Sequence, residues 1–202
     1  MGESDARLGA SGFTLRAWVD ESMQAGATGV GLYLLAAAVT DPASCEPMRD
    51  RLRALVPKGK SRLHWRDEDD GLRRRIADAV AGLDLTALVV VGQGYVARRQ
   101  ERARRVCMER LFFELENMGT SSITLESRTP SLNAKDLAMV AGLRGRGSLK
   151  GVRVEFGLPS VEPMLWIPDA VAGAVGAARS GRDGTARDRM AAVVEEITIV
   201  VR

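Results

Sequence analysis

The sequence predicts a mixed α/β fold, with an antiparallel strand pair first and then strands alternating with helices. Two observations carry this reading: the strand-like runs show period-two or continuous apolar patterning, and the segments between them are long enough for helices. At 202 residues, 46% hydrophobic and 27% charged, the chain suits one domain able to bury a sizeable core.

From Phe13 to Val19, apolar residues at 13, 15, 17 and 19 alternate with Thr14, Arg16 and Trp18, as in a strand that Asp20 closes. A glycine-punctuated stretch, Gln24 to Gly31, leads to a second strand over Tyr33–Thr40, which Asp41-Pro42 stops. A short helix follows over Glu46–Leu55, broken at Pro57, and then a third strand over Ser61–Trp65. The pattern continues with a helix over Asp67–Leu83 and a strand over Thr86–Gly92, whose unbroken apolar run suits burial on both faces of a parallel sheet. A long helix from Val96 to Asn117 ends at Gly119. Next come a strand over Ser122–Ser127, a helix over Leu132–Leu143, a strand over Val152–Gly157 and a helix over Pro168–Ala178. The expected organisation is a flexible N-terminus over residues 1–12, one domain over 13–179, a polar linker over 180–189 and a C-terminal strand over 190–202. That last strand, alternating Ile197, Ile199 and Val201 with Thr198 and Val200, should pair as an edge strand on its own sheet or on that of a second copy, which makes a homodimer one expectation.

Composition excludes several classes. The longest apolar stretch, Val30 to Val39, is about half the roughly 20 residues of a membrane-spanning helix, so no membrane partner is expected. The first residues show no apolar core behind a basic start, and no secretory leader is expected. Cys45 and Cys107, at no metal-ligand spacing, read as reduced thiols of a cytoplasmic protein. A net charge of +3 permits a phosphate-bearing partner without demanding one.

Chemistry is offered by carboxylates. Asp20 at the end of the first strand, Glu126 at the end of a later one and Asp169 in a helix's first turn converge at one sheet edge if those strands are neighbours. Carboxylate oxygens are the ligands that Mg²⁺ or Mn²⁺ prefers, so the three are candidate metal ligands and catalytic residues for phosphodiester cleavage. Each also has an ordinary role as a capping residue. Glu21 should point to the face opposite Asp20. Glu68 and Asp136 are reserve candidates, expected to face solvent. His64, the only histidine, reads as a hydrogen-bonded structural residue that could assist at a metal site, and Ser22 has no evident base.

The stretch AWVDES (Ala17 to Ser22) followed by YLLAAAVT resembles the opening strand pair of a bacterial family, domain of unknown function 3800, which is similar to RNase H-like folds. LHWRDE (Leu63 to Glu68), TLESR (Thr124 to Arg128) and LWIPDAVAGAV (Leu165 to Val175) resemble its later motifs. The resemblance implies an RNase H-like sheet with Asp20, Glu126 and Asp169 at its acidic positions, and a metal-dependent nuclease or phosphodiesterase, or a catalytically degenerate binding or assembly module of the same fold. This chain departs from the pattern at Met23, at Glu126, one methylene longer than the usual aspartate, and at Ile167-Pro168.

Two further features complete the reading. Arg98, Arg102 and Arg105 share one face of the long helix and, with Arg144 and Arg146 of the glycine-rich segment beyond, make a candidate nucleic-acid-binding surface. Gly92, Gly94 and Ala97 match a G-x-G-x-x-A nucleotide fingerprint, although a tight strand-to-helix turn explains them more simply.

Overall fold

The computed structural model describes residues 14–26 and 29–201. Six strands form one sheet: β1 (Leu15–Gln24), β2 (Gly31–Thr40), β3 (Thr86–Tyr95), β4 (Thr120–Glu126), β5 (Arg153–Gly157) and β6 (Val194–Val200), in the order β5-β4-β1-β2-β3-β6. β1, β2 and β3 make an antiparallel meander, β4 and β5 add in parallel on the β1 side, and β6 adds in parallel to β3. The mixed α/β class expected from the sequence is the observed one.

Helices cover both faces, which is why the central strands carry almost no polar residue. Every residue from Tyr33 to Thr40 is buried. Trp18, Leu34, Ala36 and Ala38 pack under α1 (Cys45–Arg53), α2 (Asp70–Ala81) and α5 (Trp166–Arg179). Ala17, Val19, Tyr33, Leu35 and Ala37 pack under α3 (Gln100–Asn117) and α4 (Pro130–Gly145). Each fully buried leucine of this kind contributes about 1.5–3 kcal/mol.

Several expectations change. β1 does not stop at Asp20 but runs on to Gln24, because β2 offers partners as far as Leu32. Ser61–Trp65 forms no strand; it is a loop entering a single 3-10 turn, Trp65–Asp67, and α2 begins only at Asp70, where Asp69 caps it by accepting from the Leu72 N–H at 2.8 Å. β3 is buried on both faces as its apolar run suggested, but it is parallel only to β6 and antiparallel to β2. The long helix begins at Gln100 rather than Val96. The expected linker over 180–189 holds a short helix, α6 (Thr185–Arg189), anchored by buried Ala186. β6 pairs with β3 of its own sheet. Residues 1–12, expected to be flexible, lie outside the described residues. Among the described residues no helix is long and apolar enough to cross a membrane.

Candidate carboxylate active site

The sheet topology brings the acids together. β1 and β4 are parallel neighbours in which Val19 stands opposite Leu125, so the next residue of each, Asp20 and Glu126, stand side by side. Both belong to the phase of Trp18 and Thr124, which faces α5. Their carboxyl groups are close enough for Glu126 to disfavour the charged form of Asp20, the effect expected of neighbouring like charges. Asp169 comes from the first turn of α5, and its Oδ2 accepts the Trp65 N–H at 2.8 Å. Asp20 accepts the Glu21 N–H at 2.7 Å. All three acids line one open cavity of about 640 Å³.

Burial, the adjacent Glu126 carboxyl and the charge of Asp169 push the Asp20 carboxyl well above the usual aspartate range. Asp169 is also raised, because burial outweighs the lowering by the Trp65 N–H. Two carboxyl groups driven together inside protein are destabilising unless a proton or a cation sits between them. The all-oxygen donor set suits a hard divalent cation. Among the described residues, however, no three His, Cys, Asp or Glu side chains already stand grouped as metal ligands.

The facing wall is the loop ahead of α2, and small residues on α5 let it close. A Cβ on Gly173 would come within 2.1 Å of the Trp65 ring, and one on Gly176 within 2.7 Å of the Gln24 amide. Arg73 of α2 grips the loop, donating to the Trp65 carbonyl and the Arg66 carbonyl, each at 3.0 Å, with its guanidinium 5.7 Å from the Trp65 ring centre. Glu68 is buried, not solvent-facing as expected: it pairs with Lys60 and accepts the His64 N–H at 3.3 Å. His64 carries an Asp67 partner at 2.9 Å and lines the cavity beside Asp169, as does Arg66. Ser22, on β1, lines the same cavity, with Gln24 as its only side-chain hydrogen-bond partner among the described residues.

Behind β1 lies a charge network that sequence reading missed. Glu21 does face away from Asp20, toward α3, and accepts from Arg104 Nη1 at 2.7 Å. Arg104 also donates to both oxygens of Asp136 at 3.0 and 2.9 Å, and Arg128 bridges Asp136 and Glu101 at 2.8 Å each. Asp136, expected at the surface, is 4% exposed, and Arg104 is 3% exposed. A signal existed: Arg104 is in helical phase with Met108 and Leu111, and Asp136 with Val140 and Leu143, so each charge occupies an apolar stripe and requires a buried partner.

The expected basic surface is divided. Arg102, Arg105 and Arg146 line a separate groove of about 650 Å³ between α3 and α4, not the carboxylate cavity. Arg146 pairs with Glu109 at 3.1 Å, Arg144 donates to the Val152 carbonyl at 2.8 Å, and Arg98 is exposed in the turn before α3. Arg66, Arg73, Arg104, Arg128 and Arg182, none of them assigned to the basic surface from the sequence, are the arginines that line the carboxylate cavity. Gly92 and Gly94 do not form a nucleotide-binding turn: β3 continues through both to Tyr95, and a Cβ on Gly92 would meet Cys107 Sγ at 2.8 Å, so this glycine serves the packing of α3 on the sheet.

No family model matches the chain, and no curated protein matches it. Solved structures do. Bst-RNase HIII in complex with Mn²⁺ matches with a TM-score of 0.52 at 15% identity, covering 83% of this chain and 53% of that one. A point mutant of the same enzyme matches with a TM-score of 0.52 at 17% identity and the same coverage. The ribonuclease HII of Archaeoglobus fulgidus, in its complex with PCNA, matches with a TM-score of 0.49 at 15% identity, over 81% of this chain and 73% of that one. The chain thus spans about half the length of the ribonuclease HIII chains, and shares with them the RNase H-like fold.

Proposed function

We propose that this chain is a divalent-metal-dependent nuclease or phosphodiesterase of RNase H-like fold. The observation that carries the reading is that the β1–β4 register sets Asp20 beside Glu126 in one open cavity with Asp169 of α5. Buried like charges destabilise a fold, so their retention at an accessible position fits a cation-binding role. Asp20, Glu126 and Asp169 would hold Mg²⁺ or Mn²⁺. A cation bound there supplies charge for a developing oxyanion and acidifies its water. Arg66 and Arg182, exposed at the rim, would bind the phosphates of a nucleic acid substrate. Asp169 keeps one oxygen on the Trp65 N–H, which orients the other. His64, beside Asp169 and oriented by Asp67, is placed to exchange a proton with a leaving oxygen or with water.

Bst-RNase HIII, described with Mn²⁺, supports the metal by analogy of fold. The finer resemblance to domain of unknown function 3800 belongs to the same reading, supported by its acidic positions falling in one cavity. The two buried thiols, Cys45 and Cys107, suit a reducing cytoplasm. The second reading, a catalytically degenerate binding or assembly module, is favoured by one observation: among the described residues the acids are not already grouped as metal ligands.

Incubation of labelled RNA, DNA and hybrid duplexes with Mn²⁺ or Mg²⁺ separates the two. Cleavage that chelation abolishes, and that Asp20→Asn and Asp169→Asn each reduce by at least about a hundredfold with the fold intact, is the expected result. Retained binding without cleavage under any metal supports the module.

A further inference from the structure

The groove between α3 and α4 lies outside the carboxylate cavity and has charges of its own. Arg102 and Arg105 stand exposed on α3, and Lys135 stands exposed on α4 across from them. The acids in the same walls are already committed. Glu101 is held by Arg128 at 2.8 Å, Asp136 is held by Arg104 and Arg128, and Glu109 pairs with Arg146. Arg102, Arg105 and Lys135 make no ion pair among the described residues, so the groove carries three uncompensated cations.

The position of the groove adds a second argument. Asp136 lies in its wall, while the two arginines that Asp136 holds, Arg104 and Arg128, lie in the wall of the carboxylate cavity. Groove and cavity therefore share one partition, whose buried centre is the Arg104–Asp136 pair and whose outer members, Arg128 with Glu101 and Glu21 with Arg104, are ion-paired toward either side. A polyanionic chain lying in the groove runs next to the acids without meeting a free carboxylate on the way.

We propose that the α3–α4 groove is a second, non-catalytic binding site for the phosphodiester backbone of a nucleic acid, gripped by Arg102, Arg105 and Lys135. Arginine and lysine bind backbone phosphates without regard to sequence, so this site gives affinity and placement rather than base specificity. The inference does not depend on the carboxylate cavity being catalytic.

Fluorescence anisotropy tests it. The Asp20→Asn chain, which keeps any bound oligonucleotide intact, is titrated into labelled single-stranded and duplex oligonucleotides across a salt series. It is compared with the same chain carrying Arg102→Ala, Arg105→Ala and Lys135→Ala. All three positions are exposed and alanine favours helix, so the variant should melt at an unchanged temperature; the single substitutions, measured alongside, serve if it does not. The expected result is that the slope of log K against log salt becomes shallower by about 2–3 in the triple variant, or by about 0.7–0.9 for each single one. An unchanged slope overturns the proposal, as does absence of nucleic acid binding at low salt. Equal competition by polyglutamate with the same sensitivity to the three substitutions also overturns it, in favour of an acidic protein partner. Loss of cleavage in Asp20→Asn with a salt slope unchanged by the three substitutions would sink the groove alone, and a shallower slope in a chain that never cleaves would sink the nuclease alone.

Discussion

Replacing Arg104 with methionine removes the centre of the network behind β1 while keeping most of the side chain's volume. Arg104 makes three charge-assisted hydrogen bonds of 2.7–3.0 Å to Glu21 and Asp136, and is 3% exposed. Stranding a buried charge costs about 3–5 kcal/mol. The lower end applies, because Asp136 keeps Arg128 and Glu21 reaches the open cavity, where water can solvate it. A loss of about 3 kcal/mol corresponds to roughly 6–12 °C in Tm for a chain of this length. The double variant Arg104→Met/Asp136→Leu removes both charges and leaves Arg128 on Glu101, so it should lose no more than the single variant and show coupling of about 2 kcal/mol. Urea unfolding at constant m-value measures both. A single-variant loss below about 1 kcal/mol, the range of an exposed ion pair, or simple additivity in the double variant, would refute the reasoning.

Two further expectations concern the cavity. Asp20 and Asp169 have raised carboxyl pKa values in the fold, so without metal the folded state binds protons that the unfolded chain has released, and their contribution to stability falls as pH rises from about 4 through the raised values. Urea unfolding of Asp20→Asn in chelator should therefore show it gaining on the native chain as pH rises over that window; a constant difference, or the opposite trend, would remove the carboxyl repulsion. Gly173→Ala sets two effects against each other, since alanine favours helix by about 1 kcal/mol while its Cβ would enter the Trp65 ring, over which the Arg73 guanidinium sits. Overpacking of about 1–3 kcal/mol should win and shift the Trp65 fluorescence, identified by difference from Trp65→Phe; a more stable variant with an unchanged spectrum would show that the loop does not close on α5.

Strand order beyond the first hairpin was not legible, because pairing depends on crossovers and not on local pattern, yet the unbroken apolar run of β3 marked it as a strand covered on both faces. The acids were legible as strand-end and helix-start positions, and parallel pairing of β1 with β4 places Asp20 beside Glu126. Ser61–Trp65 misled because alternating polarity over five residues fits a loop pinned by Glu68, Asp169 and Arg73 as well as a strand. Asp136 and Glu68 depart for a different reason: a charged side chain ordinarily faces solvent, whereas each of these is buried against a cation supplied by a distant part of the chain or the other end of a loop. The basic rim of the cavity, Arg66 and Arg182, comes from segments about 115 residues apart, a juxtaposition that no local pattern encodes.

The most direct test is a melting curve of the native chain and of Asp20→Asn with and without Mn²⁺. At about 100 times Kd, binding to the folded state alone stabilises it by about 2.7 kcal/mol, or roughly 5–10 °C. The native chain should rise by that amount and Asp20→Asn should not, since the variant lacks the carboxylate that most needs a cation. An unchanged native curve at millimolar Mn²⁺, or an equal rise in both chains, would contradict a metal site at Asp20, Glu126 and Asp169.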